Sequence, residues 1–151
     1  MTRGSRVVFN HVGQAVTDLA RSRRFYEELL SFEHWRDLEL PEGASATLLA
    51  LDAPLGATVC YLRRDGFVLE LIHYSEPAHQ HAPARRAMDE PGLTHVSLSC
   101  DVADVCGRVA DYGGEVLTHT DVGAAVFIRD PDGQLVELLP LEYADRMGAS
   151  G

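Results

Sequence analysis

Residues 128–140 read IRDPDGQLVELLP, a turn at Asp130-Pro131-Asp132-Gly133 followed by a strand whose only charged side chain is Glu137. Leu135, Val136, Leu138 and Leu139 surround that carboxylate, so the strand is expected to be mostly buried. A buried carboxylate must be neutralised, hydrogen-bonded or bound to a metal. Residues 66–74, GFVLELIHY, have the same grammar, with a glycine turn at Gly66 and Glu70 alone inside an apolar strand. Two such strands indicate a duplicated unit.

Working outward, residues 1–5 read as a loose end and RVVFNHVGQAV (6–16) as a strand carrying His11. Thr17 or Asp18 can cap a helix whose apolar stripe is Leu19, Phe25, Tyr26, Leu29 and Leu30, expected to cover the outside of a sheet. FEHWRDLEL alternates as a strand, and the Pro- and Gly-bounded stretch at about 41–57 reads as a short inserted helix. ATVCYLRRDG and FVLELIHY then make two strands joined at Asp65-Gly66, a dipeptide that tolerates positive φ. Residues 6–74 thus form a first module of strand, helix and three strands. Residues 75–92, with three prolines, read as a linker whose His-Gln-His is solvated. Residues 93–140 repeat the plan: LTHVSLSC carries His95, Asp101 caps the next helix, Gly113-Gly114 ends it, and three strands follow at EVLTHT, AAVFIRD and QLVELLP. Residues 141–151 are a C-terminal tail.

The repeat is checkable. Aligning NHVGQAVTDLA with THVSLSCDVAD puts His11 over His95 at an offset of 84, whereas Glu70 over Glu137 gives 67; the difference of 17 matches the inserted stretch. Two histidines on first strands and two glutamates on last strands make a set of four metal ligands: His11, Glu70, His95 and Glu137. Imidazole and carboxylate donors suit one divalent ion such as Zn, Ni, Co, Mn or Fe, and two waters would complete an octahedron. Two carboxylates buried close together without a cation would repel and lose solvation.

Composition narrows the partners. Thirteen Lys and Arg against 23 Asp and Glu give a formal charge of -10 without a long basic run, which argues against nucleic acid or an anionic membrane surface. Cys60, Cys100 and Cys106 are an odd number without Cys-x-x-Cys spacing, as expected for reduced thiols. No stretch approaches the roughly 20 apolar residues of a membrane span, so a soluble, cytoplasmic protein is expected. Neither a Gly-rich phosphate loop nor a Gly-x-Ser-x-Gly elbow is present.

From about Arg6 to Pro140 the chain resembles the vicinal-oxygen-chelate superfamily, which includes glyoxalase I, methylmalonyl-CoA epimerase, extradiol dioxygenases and fosfomycin-resistance proteins. The stretches that carry the resemblance are HVGQAVTDLARSRRFYEELLSF, LELIHY, LTHVSLSCDV and RDPDGQLVEL. It implies an α+β fold in which two tandem βαβββ modules form a half-open, mostly antiparallel barrel around one metal, held by His11, Glu70, His95 and Glu137. Glyoxalase I has a glutamate at the second ligand position, so Glu70 favours a glyoxalase-like lyase or isomerase. Such an enzyme chelates a small molecule through adjacent oxygens and moves a proton next to a carbonyl by way of an enediolate or enolate, with Glu137 as first choice of base and Glu70 as its alternate. An epimerase-like enzyme, an iron-dependent dioxygenase and a non-catalytic drug- or metabolite-binding protein stay open. The resemblance also implies a homodimer, with the site sometimes built across chains. Elsewhere, Arg63, Arg64, Arg85, Arg86 and Arg129 read as solvated charges, His73 as structural, and Glu39 or Glu42 as an extra acid or base.

Overall fold

The computed structural model describes residues 5–83 and 85–146, with the side chains of residues 145 and 146 left out. The first strand is shorter than its apolar composition implies. β1 spans Val12–Val16, leaving residues 5–11 without regular structure and His11 immediately before the strand. Asp18 caps α1 (Leu19–Arg24) by accepting the backbone N–H of Arg21 at 2.9 Å, and a π-helical turn at Phe25–Leu29 continues it. β2 (Glu33–Glu39), the inserted helix α2 (Glu42–Leu49), β3 (Ala57–Arg64) and β4 (Phe67–Tyr74) complete the first half. The β3–β4 hairpin turns on Asp65 and Gly66, both at positive φ, as that dipeptide allows.

Among the described residues, 75–92 carry no strand and no helix beyond a short 3₁₀ turn at Pro77–His79; residue 84 lies outside them. The stretch is tied down rather than simply solvated: the His79 ring reaches the Asp52 carbonyl at 2.7 Å, and Arg86 donates to the carbonyls of Glu90, Pro91 and Leu93. The second half follows with β5 (His95–Cys100), α3 (Val102–Arg108) capped by Asp101, β6 (Glu115–Leu117), β7 (Val126–Arg129) and β8 (Leu135–Pro140). EVLTHT is strand only to Leu117; Thr118–Thr120 turn as 3₁₀. The C-terminal stretch is not a featureless tail, because Glu142–Arg146 form a last helix, α4; residues 147–151, like 1–4, lie outside the described residues.

Each half makes a four-stranded mixed sheet, ordered β1-β4-β3-β2 and β5-β8-β7-β6, with its first strand parallel to its last and the other pairs antiparallel. The fold is α+β in two matched βαβββ units, and the sheets stay open rather than closing into a barrel. One core joins them. Leu69 and Leu71 of β4, Val136 and Leu138 of β8, and Phe25 and Tyr26 beyond α1 are all fully buried in a single cluster. The first helix therefore does not merely cover its own sheet. The Arg24 guanidinium lies 5.3 Å from the Tyr112 ring, and a Cβ on Gly114 would stand 2.7 Å from Phe25, so Gly114 admits close approach of the two halves. A second, smaller cluster packs α2 residue Ala46 with Leu55 and Ala57, and against Leu49 and Tyr74.

Candidate metal centre

Strand alternation decides where the two glutamates point. Glu70 alternates with Leu69 and Leu71, and Glu137 with Val136 and Leu138, so each carboxylate occupies the face of its sheet that looks away from the shared core. Both are half-buried, not buried. The histidines occupy matching places: Gly13 of β1 stands opposite Glu70 and Ser97 of β5 opposite Glu137, and in each case the histidine lies two residues earlier, on the same face.

The two halves anchor their carboxylates differently. In the first, the Tyr61 hydroxyl on β3 donates to Glu70 Oε2 at 2.6 Å, and His11 Nε2 lies 3.4 Å from the same oxygen. The His11 and Tyr61 rings meet edge to face at 5.7 Å. Burial, and next the hydrogen bond to Glu70, push the Tyr61 phenol up to about 12, which keeps it a donor. Gly13 completes the arrangement by leaving room, since a Cβ there would come within 3.3 Å of Glu70 Oε1. In the second half the position of Gly13 is filled by Ser97, whose hydroxyl donates to Glu137 Oε1 at 2.6 Å, and that of Tyr61 by Phe127, which has none. The His95 ring packs edge to face on Phe127 at 5.2 Å. Each carboxylate thus has one hydroxyl donor, supplied from opposite sides of the strand.

Tyr61 and Ser97 escaped sequence reasoning, yet a signal for Tyr61 was available. A two-residue turn at Asp65-Gly66 pairs residues equidistant from it, which sets Tyr61 opposite Glu70.

Of the four expected ligands, the chain brings His11 and Glu70 into contact and sets His95 and Glu137 on the outer face of the other sheet. Among the described residues the one group of three or more His, Cys, Asp or Glu side chains close enough to share an ion is His34, Asp37 and Cys60. That group belongs to the core side of β2 and β3. The Cys60 thiol there is pushed up to about 12 by burial and by its contact with Asp37, and Cys100 to about 11 by burial, so neither is poised as a nucleophile.

Other expectations change on contact with the structure. Glu42 is no spare acid: its carboxylate accepts the backbone N–H groups of Leu55 and Gly56 at 2.7 and 2.8 Å, bonds that hold its pKa below the ordinary value. Arg63 pairs with Glu33, Arg85 with Glu115, and Arg129 donates to the Gly133 carbonyl while its Nε is buried without a partner. A cavity of about 360 Å³ at the junction of the halves is lined by Gln14, Tyr74, His79, Arg86, Arg129 and Leu135 among others, and touches none of the four expected ligands. No helix among the described residues is long and apolar enough to cross a membrane.

Known structures share this architecture. A glyoxalase family protein from Bacillus cereus superposes with a TM-score of 0.76 at 17% identity, over 93% of this chain and 97% of that one. The trypanothione-dependent glyoxalase I of Leishmania major gives 0.64 at 24% identity, over 91% and 89%. The fosfomycin resistance protein FosX of Listeria monocytogenes, solved with Mn(II) and sulfate, gives 0.59 at 15% identity, over 93% and 97%. No curated protein sequence matches significantly. At these identities the likeness is one of fold. The family model described as Glyoxalase/Bleomycin resistance protein/Dioxygenase superfamily matches residues 8–138, and the chain belongs to that superfamily.

Proposed function

We propose that this protein is a metal-dependent lyase or isomerase of the glyoxalase type, with His11, Glu70, His95 and Glu137 as ligands of one divalent ion. The observation that carries this reading is the matched geometry of the two sheets. Each presents a histidine and a glutamate at the same register on its outer face, and each carboxylate is oriented by one hydroxyl. Nitrogen and carboxylate donors with that support fit a borderline divalent cation. Bound there, the ion would supply Lewis acidity to a substrate offering two neighbouring oxygens.

The chain's own residues do the rest. Ser97 holds Glu137 Oε1, leaving Oε2 as the oxygen that takes a proton from the carbon next to the carbonyl. Tyr61 and His11 both meet Glu70 at Oε2, so Glu70 is the more constrained carboxylate and the poorer candidate for a mobile base. Because the His–Glu pairs stand on faces turned away from the core that joins the halves, we propose that they converge between two copies, the first sheet of one meeting the second sheet of the other.

The reading is tested by elemental mass spectrometry of purified wild type and Glu70→Ala, followed by turnover assays on hemithioacetals and acyl-CoA thioesters. Near-stoichiometric Ni, Co, Zn or Mn that falls on losing Glu70, with turnover abolished in a metal-retaining Glu137→Gln, is the expected result. Iron retained without Glu70 would move the assignment to oxygen chemistry, and no metal after reconstitution would end the catalytic reading.

A further inference from the structure

A single row of register partners crosses the outer face of the first sheet: Gly13 on β1, Glu70 on β4, Tyr61 on β3 and Arg36 on β2. Neighbouring strands lie about 4.8 Å apart, so Arg36 stands two strands, roughly 10 Å, from Glu70 along the sheet. Its place there depends on an irregularity. The pairing of β2 with β3 slips by one residue between His34 and Arg36, leaving Trp35 as the extra residue of a bulge. In a regular strand residues 35 and 36 would face opposite ways; here both turn toward Tyr61. The Arg36 guanidinium lies 4.5 Å from the Trp35 ring centroid and 5.4 Å from that of Tyr61, with the two rings 6.0 Å apart. His34 and Asp37, flanking the bulge, point to the opposite face, where their side chains meet at 3.0 Å beside Cys60.

The cation so placed is unspent. Arg36 is exposed, and no carboxylate among the described residues lies within 4.0 Å of it, whereas Arg63 two residues beyond Tyr61 is paired with Glu33 at 2.9 Å. In a chain of net charge -10, this arginine lies over two rings and pairs with no acid among the described residues. The second sheet has no counterpart, since its equivalent row runs Ser97, Glu137, Phe127 and the buried Leu117. An extended substrate would meet a charge at one end only.

We infer that Arg36 binds a carboxylate carried by the substrate, two strands along the sheet from Glu70, with the half-exposed Trp35 ring packing against the connecting chain. The inference rests on the metal reading above and names the substrate class for it: an elongated molecule with a chelating head and an acidic tail. A single planar guanidinium forks onto one carboxylate, while a phosphate dianion would call for further cations on this face.

The test compares two hydroxamic acids with the same chelating head by calorimetric titration of the metal-loaded full chain: suberic acid monohydroxamate, which ends in a carboxylate, and octanohydroxamic acid, which does not. Trp35 is the only tryptophan in the chain and reports the location through its emission. The expected result is that the carboxylate compound binds about 10- to 100-fold more tightly and alone perturbs Trp35 strongly. Arg36→Met, which keeps an unbranched stem on both rings, should erase that advantage and leave octanohydroxamic acid bound as before. Equal affinities in wild type, or an advantage that survives Arg36→Met, overturn the role of Arg36 while the metal centre stands. If Arg36→Met abolishes binding of both compounds, so that no preference can be read, Arg36→Gln decides, a lost preference supporting the inference and a kept one overturning it. Failure of either compound to bind a protein that also retains no metal overturns the metal centre, and this inference with it.

Discussion

A carboxylate held through one oxygen keeps a fixed direction and a free lone pair, and that is what Tyr61 and Ser97 provide for Glu70 and Glu137. Because the Tyr61 phenol is pushed up to about 12, it stays protonated and donating across the neutral range, so it adds no step to a pH profile taken between pH 6 and 10. Removing either hydroxyl leaves the carboxylate in place but unsteered, and the metal centre proposed above makes that measurable. Tyr61→Phe and Ser97→Ala are each expected to weaken metal binding by about 10- to 100-fold without unfolding the chain, as measured by competition with a chromophoric chelator and by circular dichroism. The two glutamates were legible because an isolated charge in an apolar strand demands an account. Tyr61, Ser97, Trp35 and Arg36 were not, because their importance comes from which residue stands across the sheet, and a turn or a one-residue bulge resets that count.

Among the elements, the β7–β8 turn does more than reverse the chain. Asp130, almost fully buried, accepts hydrogen bonds from the Gln14 amide at 2.6 Å and the Tyr26 hydroxyl at 2.8 Å in the first half, and from the backbone N–H groups of Asp132 and Gln134 in its own turn. Asp132 reaches back to the backbone and hydroxyl of Thr17 and to Arg21 at the start of α1. Read from sequence, Asp130-Pro131-Asp132-Gly133 is hairpin punctuation; its long-range partners are more than a hundred residues away and leave no local trace. Asp130→Asn would set an amide N–H₂ against donors on one side, and is expected to cost about 2–4 kcal/mol, visible as a lowered thermal midpoint. Burial raises the pKa of Asp130, so the folded chain holds that proton more tightly than the unfolded one. This group's contribution to stability is therefore complete below the unfolded carboxylate pKa and is lost as pH rises through the raised value. That component of the pH dependence disappears in Asp130→Asn, which a stability series across mild acid would register.

At the scale of the whole molecule, the path to His11 is apolar and open. Val7, Val8 and Phe9 are 90%, 67% and 63% exposed. Such an exposed apolar stretch beside His11 is what the second copy proposed above would cover. If the ligands converge between copies, Glu70→Ala and Glu137→Ala are each inactive alone but complement one another when refolded or co-expressed together. A mixed dimer then has one site with both lesions and one with none, and an equal mixture should recover roughly a quarter of wild-type turnover by random pairing. A site within one chain would recover nothing. The duplication was legible from two offsets in the sequence, and the α+β class from the resemblance; the relative placement of the halves was not, since either pairing leaves the same local patterns. The inserted helix α2 has a further meaning at this scale. Its apolar contacts form a satellite cluster with Ala57 and Tyr74, on the Glu70 face of the first sheet but outside the main core. An appendage packed apart from the main core can vary with less disturbance to that core than one of its own elements could. The chain is thereby divided into a shared core, whose sheets carry His11, Glu70, His95 and Glu137 at matching places, and a rim at α2 that packs apart from it.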